Sequence, residues 1–244
     1  MRLFGRATRA HALAAKVRRR AHRCAGEFWR ARQAISAIEF ALVLPFLVVL
    51  MLGSAEAARL IIFARNVTQV ATTSVEMLTQ NGTGKINYVD LHFAIDSTMV
   101  IFPQILQDAA QKKITWGNDI SISMASVVFT PNPLSCTSNC SYTANVVWNS
   151  GPNKRTCGVA LTAVPDTSAP SKTTLPADVF GPGSLIVVDI VFNYTPIFGL
   201  GLFGTIPIAR SAYIAPRYVQ APKYIKYDAT VSGDDGIGAE CPGY

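Results

Sequence analysis

The chain has 244 residues, half of them hydrophobic, and a mean hydropathy of +0.27. That is apolar for a soluble domain, and one segment carries much of the excess. The length allows one membrane segment plus one exported domain, since single domains often run ~100–200 residues.

The formal charge of +7 is not spread evenly. Ten of the 22 Lys and Arg fall within residues 1–33 (Arg2, Arg6, Arg9, Lys16, Arg18, Arg19, Arg20, Arg23, Arg30 and Arg32), against the single acid Glu27. The rest of the chain has a slight excess of acids. A basic block can bind nucleic acid. Placed just before an apolar run, it instead satisfies the positive-inside rule. No base-reading or RNA-binding motif follows it, so no nucleic-acid partner is expected. Residues 1–34 are read as a basic cytoplasmic leader.

Residues 35–55 (ISAIEFALVLPFLVVLMLGSA) hold one charge, Glu39. A span needs ~20 apolar residues at a rise of ~1.5 Å each, and this segment has that length. In lipid every backbone group must be paired, so the segment must be a helix, and Pro45 is tolerated there. The flanking charge places the N-terminus in the cytoplasm and the following chain outside. A cleaved secretory signal is the alternative, because Gly53-Ser54-Ala55 has a small-x-small pattern. Against it, the N-terminal region is long and the apolar run exceeds the usual ~7–15 residues. Helical pattern also continues to about residue 80. Ala57, Leu60, Ile61, Ala64, Val67, Val70, Ala71, Val75 and Leu78 recur at three- and four-residue spacing and predict one apolar face. Asn81-Gly82 ends the helix.

Residues 81–244 predict a periplasmic α+β domain with a small antiparallel sheet beside the long helix. Helical character covers Tyr88–Val100, with polar interruption, and Phe102–Lys113. Ile120–Thr130 reads as a strand, stopped by Pro131-Asn132-Pro133. Tyr142–Trp148 alternates and is rich in β-formers, followed by a turn over Asn149–Asn153. Pro165–Gly183 is rich in Pro, Ser and Thr and reads as a surface loop. Ser184–Tyr194 is a near-continuous apolar strand, and Ile206–Ile214 pairs with it antiparallel.

Of five cysteines, Cys24 precedes the membrane segment, in a reducing compartment, and is expected to be free. Cys136, Cys140, Cys157 and Cys241 lie outside, where three pairings are open to them. The preferred reading joins Cys136 to Cys140 as a local loop and Cys157 to Cys241 as a staple. Joining Cys140 to Cys157 across the Tyr142–Trp148 strand is the alternative. A zinc site is disfavoured, because paired C-x-x-C spacing is absent and no histidine follows His92.

Three stretches resemble the TadE-like proteins of the Tad (Flp) pilus system. The first is Ala34-Ile35-Ser36-Ala37-Ile38-Glu39-Phe40-Ala41-Leu42-Val43-Leu44-Pro45, with the following helix from Ala55-Glu56-Ala57-Ala58-Arg59-Leu60 through Ala64-Arg65-Asn66. The others are Val188–Phe198 and Ala209–Arg217, similar to the family's last strands. The resemblance implies a minor pilin or assembly protein of the bacterial inner membrane. It also implies that a prepilin peptidase cuts between Ala34 and Ile35, four residues before the Glu, although Ala34 stands where such peptidases prefer glycine. Glu39 would then be the fifth residue of the mature chain. A carboxylate in hydrocarbon costs ~2.5 kcal/mol or more and needs a partner. The freed amine of Ile35 on a neighbouring subunit is the partner implied, and such a pair would set register. Read without the family, Glu39 is a turn from the interface and reaches headgroups and water. Glu39, Phe40 and Pro45 are the candidate residues for intramembrane assembly.

No catalytic cluster is legible. His11 and His22 lie in the cytoplasmic leader, leaving only His92 outside, without a G-x-S-x-G nucleophile elbow. Gly199–Gly204 is glycine-rich but lacks the phosphate-loop lysine. Asp234-Asp235-Gly236 lacks the remaining spacing of a calcium loop. The expectation is therefore a non-enzymatic protein with no cofactor, no metal and no small-molecule substrate. Its expected partners are membrane lipid, other pilins or Tad assembly proteins, and the prepilin peptidase. The alternative function is a single-pass, membrane-anchored periplasmic binding or sensing module.

Overall fold

The computed structural model describes residues 32–169, 171–198, 204–219 and 223–244. Most of the basic leader, with Cys24, His11 and His22, lies outside the described residues, as does 199–203 of the glycine-rich stretch. The chain divides between Ala55 and Glu56 into two units.

One helix, α1, runs over Arg32–Thr79 with Pro45 inside it. In the first unit, every side chain from Ser36 to Leu50 is exposed. Phe40, Leu42, Phe46 and Leu50 keep 59–69% of their surface. Among the described residues, this is the one unbroken helix long and apolar enough to cross a membrane.

In the second unit the same helix changes character. Phe63, Val67, Val70, Ala71, Ser74, Val75 and Leu78 are buried, one stripe at three- and four-residue spacing. Leu60 and Ala64 flank it, partly buried. Ala57 and Ile61, expected on the apolar face, are exposed instead. At 3.6 residues per turn the stripe passes through Phe63 and Val67, which turns Ile61 to the side.

The helix ends at Thr79, and Asn81 Oδ1 accepts from the Thr83 amide in the turn that follows. Strand β1 (Lys85–Ile86) leads to α2 (Tyr88–Ile101), whose first turn is closed by a capping box between Asn87 and Asp90. Helix α2 runs without the expected polar interruption. Helix α3 (Gln104–Lys112) and the single turn α4 (Trp116–Asp119) follow.

The main sheet contains β2 (Ile120–Asn132), β3 (Ser141–Ser150), β6 (Gly183–Tyr194), β7 (Ile206–Ile214) and β9 (Gly238–Glu240). Their order is β7-β6-β2-β3-β9, antiparallel throughout. Small accessory pairs join β4 (Thr162–Val164) to β5 (Thr174–Pro176), and β1 to β8 (Lys226–Tyr227).

Both faces of the sheet are covered, which explains the near-continuous apolar runs of β2 and β6. Even-numbered residues of β6 (Ile186, Val188, Ile190, Phe192 and Tyr194) share a core with the α1 stripe and with Leu91, Phe102 and Ile105. Leu185 and Val187 point to a second core with Ala125, Val127, Phe129, Leu161, Leu175 and Cys241. There the segment expected to be a bare surface loop supplies Leu175 and the partly buried Val179 and Phe180. A bulge in β3 pairs Val146 with Val127 and Trp148 with Ser126. The extra residue puts Val147 and Trp148 into the first core while Val146 serves the second. Full burial of each such side chain contributes about 1.5–3 kcal/mol.

Strand β2 runs two residues past the expected stop. Beyond Phe129 it pairs with β3 alone, so Pro131 meets no donor demand on its other side. Strand β3 likewise runs through Asn149 and Ser150, and the turn begins at Gly151. Gly151 adopts φ +88°, and a Cβ there would lie 2.2 Å from the Ile122 carbonyl oxygen. Only glycine fits that approach.

Candidate functional site

The candidate assembly residues lie at the start of α1. Ala34 and Ile35 are within the helix, and Glu39 and Phe40 are exposed on it. No intrachain hydrogen bond or ion pair to Glu39 appears among the described residues. Pro45 removes one donor from the helix. The structure thus places Glu39, Phe40 and Pro45 on one exposed helix, with no covering layer among the described residues.

A second polar centre forms at Glu56, the first residue of the second unit. Tyr194, fully buried at the end of β6, donates its hydroxyl to Glu56 Oε1. The amides of Ile197 and Phe198 donate to Oε1 and Oε2 at 3.3 Å each. Arg59, one turn on, has Nη1 3.9 Å from the carboxylate and its guanidinium near the Phe63 and Tyr194 rings. Burial raises the Tyr194 phenol far above its ordinary value, and its bond to the Glu56 carboxylate raises it further. Phe63, Tyr194, Phe102 and Phe192 pack edge-on or tilted within 5.1–5.7 Å.

Beside this aromatic group lies a buried charge cluster. Lys112 Nζ is 2.5 Å from Asp108 and 2.5 Å from Asp119, and it also donates to the Asn193 carbonyl. Burial pushes the Asp119 carboxyl up to about 6. Lys112 opposes that rise and Asp108 adds to it. A third buried pair joins the sheet to the 151–157 turn. Arg155 Nε and Nη2 donate to the two oxygens of Asp189 at 2.7 and 3.0 Å, and Ser211 also donates to Asp189.

These three centres were not singled out from sequence. Asp189 had a visible signal, a lone charge in the apolar run Ser184–Tyr194. Tyr194 lies 138 residues from Glu56, beyond any local pattern, whereas Lys112 meets Asp108 and Asp119 only four and seven residues away.

The four cysteines after α1 are joined as Cys136–Cys140 and Cys157–Cys241. His92 forms an exposed bond to Asp235 at 2.7 Å and has no nucleophile in reach in that pair. Among the described residues, no group of three His, Cys, Asp or Glu is placed to hold a metal. An open cleft of about 400 Å³ is lined by Ile95, Trp116, Ile120, Ile122 and Ile237, with Lys154 its one charged residue. It offers apolar contact and no convergent polar set.

An exposed apolar helix that continues into the core of an α+β domain is the arrangement of a membrane-anchored protein. The sequence model of the TadE-like protein family matches residues 34–75, so the anchor and the first part of the core stripe are TadE-like. No curated protein and no solved structure matches the chain.

Proposed function

We propose that the chain is a minor pilin or assembly protein in Tad/Flp pilus biogenesis. Its basic leader lies in the cytoplasm, residues 35–55 cross the bacterial inner membrane once, and residues 81–244 form the periplasmic domain. The observation that carries this reading is a coincidence over residues 34–75. The family match covers the same stretch in which α1 passes from complete exposure to a buried stripe. The family is pilin-related and non-enzymatic, and we extend that to this chain. The proposed partners are lipid, other pilins or Tad assembly proteins, and the prepilin peptidase.

In this reading cleavage falls between Ala34 and Ile35, and Glu39 pairs with the new amine of Ile35 on a neighbouring subunit. Phe40 and Pro45 belong to the same intramembrane contact. The test is the mass and N-terminal sequence of the protein from membranes of cells with and without the prepilin peptidase. A start at Ile35 that depends on the peptidase supports a processed pilin. An intact Met1 supports the anchored assembly protein and assigns Ala34 as the reason for escape. A start at Glu56 means secretion and overturns the reading.

A further inference from the structure

The connection from β6 to β7 begins with its backbone fixed and its side chains free. Tyr194, Ile197 and Phe198 all donate to the Glu56 carboxylate. The side chains of Ile197 and Phe198 nonetheless remain 49% and 44% exposed. The sequence carries no charge from Thr195 through Ala209. An exposed Phe and Ile held by tethered backbone, with no charge in the surrounding sequence, form a small apolar surface that water covers poorly.

The position of that surface follows from Glu56. The apolar segment ends at Ala55, and one further residue advances a helix by ~1.5 Å. The Ile197 and Phe198 amides are 3.3 Å from the Glu56 carboxylate. Both residues therefore lie close to the level at which α1 leaves hydrocarbon. Apolar side chains settle ~5–10 Å into the headgroup and acyl boundary, and aromatic side chains that collect there form the interfacial belt.

We propose that Ile197 and Phe198 make a second, shallow contact with the bilayer that holds residues 35–55. The contact rests on the reading of that segment as a span. The occupant is lipid rather than a protein neighbour, because the backbone tether to Glu56 keeps both side chains at the interface before any partner arrives. The contact would hold the domain at the membrane surface at two points, the helix and the residues just after β6.

The test uses the full chain in vesicles of phosphatidylethanolamine and phosphatidylglycerol, without bromine or with bromine on the acyl chains, near the headgroups in one preparation and near the chain ends in another. Phe198→Trp and Ile197→Trp place a fluorophore in the contact, and Phe46→Trp places one in the span. The emission of the parent chain, from Trp29, Trp116 and Trp148, is subtracted. The expected result is a bromine-dependent loss of emission for Phe198→Trp or Ile197→Trp as well as for Phe46→Trp. Loss for Phe46→Trp alone overturns the contact and leaves the anchor standing. No loss for any of the three overturns both.

Discussion

Tyr194 and Glu56 meet across 138 residues of chain, the ring held by its aromatic neighbours and the hydroxyl by the carboxylate. Hydrogen bonds to a charged acceptor are worth about 1.5–3 kcal/mol. Tyr194→Phe keeps the ring in its aromatic group and removes only the hydroxyl. It should lower unfolding free energy by about 1–2 kcal/mol, less than the full bond because two amides still serve the carboxylate. Thermal and denaturant unfolding in detergent would measure this, and an unchanged midpoint would show that the bond contributes nothing. Asp119 gives a prediction in pH. Its carboxyl is raised in the folded chain to about 6, chiefly by burial. A group raised on folding contributes stability that is complete below its unfolded value of about 4 and is lost as pH rises through its folded value. The parent should therefore lose stability between about pH 4 and pH 6 relative to Asp119→Asn. Melting midpoints of both proteins across that range decide it, and parallel curves would remove Asp119 as the cause. At this scale the sequence was partly readable. Glu39 stood out as the single charge in its run, while Asp189, the lone charge in β6, was passed over. Nothing local marks Arg155 as a cation that folding will bury, and the i, i+4 spacing of Asp108 and Lys112 is that of any exposed helix pair.

The long helix and the four long strands were legible because each has enough residues to show a period or a sustained apolar run. Strands β1, β8 and β9 have two or three residues each and show none. Their pairing comes from tertiary closure. The expected stop at Pro131 failed for a similar reason. Whether proline ends a strand depends on how many neighbours that strand has at that point, and the sequence does not show neighbours. Disulfides act at this scale too. Cys157 and Cys241 are 84 residues apart, Cys136 and Cys140 only four. On chain entropy, closing the longer loop stabilises by about 4.5 kcal/mol and the shorter by about 2 kcal/mol. Replacing Cys157 and Cys241 together by serine should therefore lower stability more than replacing Cys136 and Cys140. Denaturant midpoints of the two double variants, measured under oxidising conditions, test the order.

For the whole molecule the decisive question is what covers the exposed half of α1. Lipid covers a single copy, and neighbouring helices would replace part of that lipid in an assembly. Glu39→Gln separates the two roles. It removes a charge that lipid disfavours, so membrane retention after alkaline extraction should be unchanged or improved. Recovery of neighbouring pilins by crosslinking in membranes should fall. Equal crosslinking would show that Glu39 has no lateral partner. The anchor was the most legible part of the chain, since length and hydropathy both act through one solvent. The domain behind it was legible as a class, and its two-sided core was hidden because Leu161, Leu175, Val179 and Phe180 are scattered through a polar segment.

The order of the main sheet leaves its two borders in different hands. On one border β7 pairs only with β6 among the described residues, and Pro207 and Arg210 discourage a further strand from adding there. On the other border, β3 is covered by two short pieces of chain. Leu161 bridges to Ala144, while Gly238–Glu240 pairs with Trp148–Ser150 and the Cys241 amide donates to Val147. Cys157 lies four residues before the first piece and Cys241 ends the second, so one sulfur bridge secures both covers. A copy retained where thiols stay reduced would keep its helix and most of its core. It would lose the latch over β3 and present that border to the nearest extended chain, so oxidation of this one pair guards against self-association.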